Sequence, residues 1–225
     1  MKAAAIAEGI YRLGVNLDSN HLFEGMWPIP NGISINSYVV QGEKTALIDL
    51  VEDINNKPVE FVQGLGSIPL APRDIDYLVV NHMEPDHTGW LPEFVRQNPH
   101  LKIYITEKGA AILKAFCGIE ENVQVVKTGD TLALGGNKEL IFYEIPNLHW
   151  PETMATFERN SGILFSCDAF GSYGWSGGAQ KELDTLTEKM QWTFADPVEW
   201  RGAPSQKVIN QAASQAKKLA QSLKE

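Results

Sequence analysis

Val79-Val80-Asn81-His82-Met83-Glu84-Pro85-Asp86-His87-Thr88-Gly89 is the stretch that decides how the rest of the chain is read. The apolar run Ile75 to Val80 fits a fully buried strand and leads straight into this polar turn. Four side chains able to hold a metal, His82, Glu84, Asp86 and His87, fall within six residues. Alternation at the strand end points His82, Glu84 and Asp86 one way, and the turn after Pro85 brings His87 round beside them. Functional groups commonly sit where a rigid strand releases into a loop. The chain has five histidines, so two in one such cluster argues against a polar turn that carries them incidentally.

One turn does not complete a metal site, and two further strand ends supply the same residue types. His149 stands in Pro146-Asn147-Leu148-His149-Trp150-Pro151, and Asp168 closes Leu164-Phe165-Ser166-Cys167-Asp168. Alone, Asp168 reads as a cap or turn residue and His149 as a structural histidine. Beside the first cluster, three strand ends each deliver a ligand, as one edge of a layered fold would. The set is three carboxylates and three imidazoles without thiolate, which favours iron or manganese over a structural zinc. A carboxylate can bridge two metals through its two oxygens, and Asp168 is the candidate for that role. Two adjacent ferrous ions can each give one electron to dioxygen, forming a bridging peroxide.

Outward from the turn, strand-like and helix-like segments alternate. Tyr11 to Val15, Ser34 to Val40 and Thr45 to Leu50 read as strands, the last two joined by the turn Gln41-Gly42-Glu43-Lys44. Pro58 to Leu65, Trp90 to Gln97 and Glu107 to Phe116 read as helices, and Lys102 to Ile105 as a strand. Val123 to Val126, Thr131 to Leu134, Leu140 to Ile145, Met154 to Glu158 and Ile163 to Cys167 are further strands. A glycine-rich loop, Gly171 to Gly178, lacks the strand-to-helix spacing of a phosphate cradle. Ser205 to Leu223 carries one apolar face at helical period. The pattern predicts an α/β layered sandwich, read as a single domain over residues 1–225.

Bulk properties narrow the function. The formal net charge is −9 with no basic cluster, which argues against nucleic acid or anionic membrane as partner. No apolar run reaches the roughly 20 residues of a membrane span. The start, MKAAAIAEGIYRLGV, lacks the pattern of a secretory signal, so the expected location is cytoplasmic. Cys117 and Cys167 form no CxxC and read as buried free thiols. His21 and His100 lie in polar surroundings and read as surface residues.

The order His-x-Glu-x-Asp-His, then a distant His, then a distant Asp, resembles the diiron domain of flavodiiron proteins, a branch of the metallo-β-lactamase fold with its αββα sandwich. The resemblance extends over about residues 10–175 and includes Leu22-Phe23-Glu24-Gly25, Gly32-Ile33-Ser34-Ile35-Asn36-Ser37-Tyr38, Ala46-Leu47-Ile48-Asp49, His149-Trp150-Pro151-Glu152-Thr153-Met154 and Phe165-Ser166-Cys167-Asp168-Ala169-Phe170-Gly171. Hydrolases of the fold carry His-x-His-x-Asp-His, so Glu84 separates this chain from them. The resemblance implies one iron on His82, Glu84 and His149, a second on Asp86 and His87, and Asp168 bridging the pair, oxo- or peroxo-bridged. Glu24 falls near a position where some family members place a pocket histidine. Trp150, Trp175 and Phe170 flank the expected centre as pocket walls or as core packing.

Two departures from the family pattern matter. No histidine follows His149, whereas the family has one more after a further strand, and the chain from about residue 176 departs from the family pattern. Glu182 and Asp184 are possible substitutes. The FMN-binding flavodoxin-like domain of full-length family members has no counterpart in these residues. The resemblance is therefore nearest to stand-alone oxygen-binding diiron proteins, which implies an oxygen and iron sensor, homodimeric and coupled to a chemotaxis receptor. One alternative is an O2 or NO reductase, an oxidoreductase fed by an external electron donor such as rubredoxin or a flavodoxin. Another is a zinc-dependent hydrolase.

Overall fold

Burial that alternates along Ile33–Gln41 and is complete along Thr45–Ile48 sets the layers. The computed structural model describes residues 2–23, 25–30 and 32–166. They lie in one compact unit, Met1–Ala169. The first sheet has seven strands, in the order β1 (Ala4–Ala7), β2 (Ile10–Leu17), β5 (Ile33–Gln41), β6 (Thr45–Ile48), β7 (Tyr77–Val79), β8 (Lys102–Ile105), β9 (Val123–Val125). A two-stranded ribbon, β3 (Leu22–Phe23) and β4 (Trp27–Pro28), interrupts the path from β2 to β5. The second sheet is a four-stranded meander of β10 (Thr131–Gly135), β11 (Lys138–Glu144), β12 (Met154–Glu158) and β13 (Ile163–Ser166).

The first sheet changes character at β6. From β1 to β6 its neighbours pair antiparallel, and from β6 to β9 they pair parallel. Parallel neighbours need crossovers, and helices supply them. These are α1 (Lys57–Gly66), then α2 (Pro85–Thr88) with α3 (Leu91–Gln97), then α4 (Glu107–Cys117). A proline in the first turn starts α1, α2 and α3, where its missing N–H costs nothing. Thr106 caps α4 by accepting the Gly109 N–H, and Gly118 ends it in the left-handed region.

Period-two alternation explains why β6 and β7 are buried on both faces. Leu47 and Leu78 point into a core shared with Phe61, Leu65, Phe94 and Leu113 of the helices. Ala46, Ile48 and Val79 point the other way, into a core shared with Leu134, Leu140, Phe142, Met154 and Phe165 of the second sheet. Each large apolar side chain so buried contributes about 1.5–3 kcal/mol. The described residues thus form a helix layer, a sheet and a second sheet, in keeping with the predicted α/β sandwich. The expected outer helix, Ser205 to Leu223, and the loop from Gly171 to Gly178 lie outside the described residues.

The expected strands and helices stand where predicted to within a few residues. Three differences are physical. Asn81 to Gly89 contains a helical turn, Pro85–Thr88, because Pro85 presets the backbone and Thr88 ties back to the Met83 and Glu84 carbonyls. The short β1 and the β3–β4 ribbon, with too little apolar periodicity to read, exist by pairing alone. Cys117 is half-buried rather than fully buried, sitting at the end of α4 with its thiol pushed up by what burial it has. Cys167 lies outside the described residues. His100 is exposed, as expected, and His21 pairs with Asp18.

Candidate metal centre

Open α/β sheets place their sites beyond the carboxyl ends of parallel strands. Here β6 and β7 are in register with Ile48 opposite Val79, so Asp49 and the ligand turn leave the sheet side by side. The Asp49 N–H donates to the Val79 carbonyl (2.9 Å), and the Asn81 N–H donates to the Asp49 carboxylate (2.8 Å). Asp49 holds this position at φ 57, a left-handed conformation uncommon for a residue with a side chain. Farther along, the Leu50 N–H donates to the His87 carbonyl and the Trp90 N–H to the Val51 carbonyl. Gly89 permits that approach: a Cβ there would come within 2.9 Å of the Pro85 carbonyl oxygen and 3.1 Å of the Asp53 nitrogen.

The second sheet closes the other side. Asn81 donates its side-chain N–H to the Phe165 carbonyl (3.2 Å) and accepts from the Thr156 hydroxyl (2.8 Å), while its backbone carbonyl accepts the Met154 N–H (2.8 Å). Asn81 therefore pins the strand end of the first sheet onto β12 and β13. His149 arrives on the loop between β11 and β12. That loop is fixed internally: the Trp150 N–H donates to the Thr153 hydroxyl and the Asn147 N–H to the Trp150 carbonyl.

These elements bring His82, Glu84, Asp86, His87 and His149 together. Glu84 Oε2 lies 3.2 Å from His82 Nε2 and in a short hydrogen bond with His149 Nε2. His87 Nε2 lies 3.4 Å from Asp86 Oδ2. The His82 ring centroid is 4.7 Å from that of His87 and 5.4 Å from that of His149. His82, Glu84, Asp86 and His87 are buried, whereas the His149 side chain keeps 25% of its surface exposed. Burial pushes Glu84 up, but hydrogen bonds from His149 and His82 outweigh it and hold the carboxyl at about 2.

The donors fit metal ions. Two groups each offer three ligand atoms within 4.8 Å of one another: His82, Glu84 and His149, and Asp49, His82 and His87. Metal–nitrogen and metal–oxygen bonds of about 2.0–2.2 Å put two donors of one ion at most about 4.4 Å apart, so each group needs only a small contraction. His82 belongs to both groups, and its Nδ1 is buried with no hydrogen-bond partner among the described residues. All donors are nitrogen or oxygen, the set that suits iron or manganese. Trp150 is half-buried at the rim, its ring centroid 6.5 Å from those of both His82 and His149.

Asp168 and Glu24 lie outside the described residues, as do Phe170, Trp175, Glu182 and Asp184. Two residues of the site went unnamed as participants in the sequence: Asp49 and Asn81. Asp49 closes a buried strand, the same signal that singled out Asp168. Asn81 gave no signal, because its role depends on which strands meet.

A sequence model described as "ODP family beta lactamase" matches residues 33–223. The anaerobic nitric oxide reductase flavorubredoxin of Salmonella arizonae is 46% identical over 144 residues, covering 63% of this chain and 29% of the relative. The rubredoxin oxygen:oxidoreductase of Desulfovibrio gigas superposes with a TM-score of 0.66 at 35% identity, over 73% of this chain and 40% of that one. A mutant flavo di-iron protein of Thermotoga maritima gives a TM-score of 0.65 at 39% identity over 74% of this chain and 41% of its own. The chain thus spans less than a third of that curated relative's length. Its sandwich, its edge of carboxylates and histidines and these matches lead to one conclusion: the chain belongs to the ODP family of beta-lactamase-like proteins, the diiron domain family of the flavodiiron proteins.

Proposed function

We propose that the chain holds two iron ions and uses them to bind and reduce dioxygen or nitric oxide, with electrons delivered by a separate redox protein or domain. The observation that carries this reading is the gathering of His82, Glu84 and His149 as one donor group, with His87 Nε2 and Asp86 Oδ2 3.4 Å apart beside it, all nitrogen and oxygen. His82, Glu84 and His149 would hold one ion, and Asp86 and His87 the other, with Asp168 as the bridge. A pair of ferrous ions held by these residues would supply two electrons to a diatomic molecule bound there. Glu84 keeps its carboxylate ready for a cation because His82 and His149 hydrogen-bond it in the ionised form. Trp150 at the rim shields one side of the donors from water.

Reduction is placed before sensing because of the relatives' names: a nitric oxide reductase flavorubredoxin and a rubredoxin oxygen:oxidoreductase. An oxygen sensor that passes its state to a chemoreceptor uses the same centre without rapid turnover. The test is anaerobic loading with two equivalents of ferrous iron, then mixing with O2 or NO with and without reduced rubredoxin. The expected result is two irons bound per chain and gas consumption that depends on the donor. A bound-gas absorption that persists for minutes with donor present makes the centre a sensor. A chain that takes up zinc and no iron, and hydrolyses esters, sinks the diiron reading.

A further inference from the structure

Glu152 is buried three residues beyond His149, and the site described so far has no use for it. Its carboxylate Oε1 accepts the Met83 N–H at 3.0 Å. Met83 stands between His82 and Glu84 in the ligand turn, and its own side chain is buried in the core beneath the helices. The Glu152 backbone is held as well: its carbonyl accepts from the Thr106 hydroxyl at 2.9 Å. That hydroxyl also caps α4 by accepting the Gly109 N–H at 3.1 Å. A thread of hydrogen bonds therefore runs from the start of α4 through Glu152 to the middle of the ligand turn.

Two facts set this apart from ordinary loop packing. First, His82 is bracketed: the Asn81 N–H before it goes to the Asp49 carboxylate and the Met83 N–H after it goes to the Glu152 carboxylate. Backbone donors on either side of one ligand are thus fixed by carboxylates from two different loops. Second, Glu152 Oε2 is buried with no hydrogen-bond partner among the described residues. A half-satisfied buried carboxylate lowers stability, so its presence calls for a benefit elsewhere. The benefit on the page is geometric. Glu84 and His82 ride on the turn that Glu152 grips, and His149 rides on the loop that Glu152 belongs to.

We propose that Glu152 is a positioning residue for the metal ligands: it clamps the ligand turn at Met83 to the loop carrying His149, and so sets the span between His149 and the His82–Glu84 pair. The role rests on the diiron reading above, and it belongs to the acceptor oxygen rather than to the charge. Outer groups that orient metal ligands typically change metal affinity by about 10–100-fold when removed.

The experiment compares Glu152→Gln, Glu152→Asp and Glu152→Ala with the native chain. Ferrous binding is titrated anaerobically, the electronic spectrum of the loaded protein is recorded, and Met83 amide hydrogen exchange is followed in the metal-free protein. Gln keeps an acceptor oxygen at full reach and is expected to bind iron within about threefold of native, with the native spectrum. Asp retracts the carboxylate by one methylene, and Ala removes it. Both are expected to weaken one iron by about tenfold or more, alter the spectrum and speed Met83 exchange. Native iron affinity and spectrum in Asp, or in a folded Ala variant, overturn the proposal. So does a Gln variant as damaged as Asp, which would make the charge the essential feature. If Ala fails to fold, Asp against Gln carries the comparison. If the native chain takes up no iron, the diiron reading falls by itself, and Met83 exchange still decides: unchanged exchange in Asp overturns the clamp.

Discussion

The two sheets serve the candidate centre in opposite ways. The first delivers its donors as a block: His82, Glu84, Asp86 and His87 follow a single parallel strand, are buried, and are gripped by Asp49, Leu50 and Val51 from the neighbouring strand end. Among the described residues the second delivers His149, a quarter exposed, on a loop whose bonds are mostly its own. A parallel sheet edge converges several chain segments on one point, whereas a meander lets each hairpin loop stand apart. The difference teaches that one half of the centre is prebuilt and the other half completes it by docking.

The largest effect that bears on this contrast comes from the core between the sheets. Phe142 on β11 is fully buried among Ile48, Val79 and Phe165. Phe142→Ala is expected to cost about 3–5 kcal/mol. If the halves are one cooperative unit, urea unfolding followed by tryptophan fluorescence and by circular dichroism gives one coincident transition at a lower midpoint. Two separated transitions would show that the second sheet unfolds on its own and that the docking picture understates its independence.

Acid gives a smaller effect and joins the halves directly. Glu84 on the first sheet is held at about 2 by hydrogen bonds from His149 on the second-sheet loop and from His82, against the pull of burial. The folded value lies below the ordinary value of 4.5, so the folded chain binds this proton less readily than the unfolded chain. The stabilisation is fully present above about pH 4.5 and is lost as the pH falls towards 2. In the metal-free protein the loss is on the order of 2 kcal/mol, allowing for solvent screening. His149→Ala should flatten the denaturation midpoint across that window. An unchanged slope would mean that His149 does not hold Glu84.

The smallest effect concerns the pin between the sheets. Asn81→Ala leaves the buried Thr156 hydroxyl and the Phe165 carbonyl without their partner, at a cost of about 1–2 kcal/mol. Removing both ends with Asn81→Ala and Thr156→Val should cost less than the sum of the single changes. Strict additivity in such a double-mutant cycle would argue that the two side chains do not act together, leaving the join to apolar packing and to the Met154 N–H on the Asn81 carbonyl.

Much of the first half was legible in the sequence because its evidence is local. A buried apolar run followed by four ligand-type residues needs no knowledge of topology. The layered fold was readable from strand and helix periods, and the family resemblance fixed its type. What the chain could not declare is what depends on meeting. Asp49 looks like any aspartate at a strand end until β6 and β7 pair in register. Asn81 and Glu152 look like turn residues until the second sheet arrives. The β3–β4 ribbon has two residues in each strand, too few for any period to show.

Those meetings also set how much chain must be closed when the protein folds. The Asn81–Asp49 bond joins residues 32 apart, Met83–Glu152 joins residues 69 apart, and Asn81–Phe165 joins residues 84 apart. Closing longer loops costs more chain entropy, and contacts of long sequence separation slow folding and form after local ones. The candidate centre is therefore expected to assemble late in folding rather than at its nucleus. An ion arriving early would meet four donors on one turn, with His149 still far away in space.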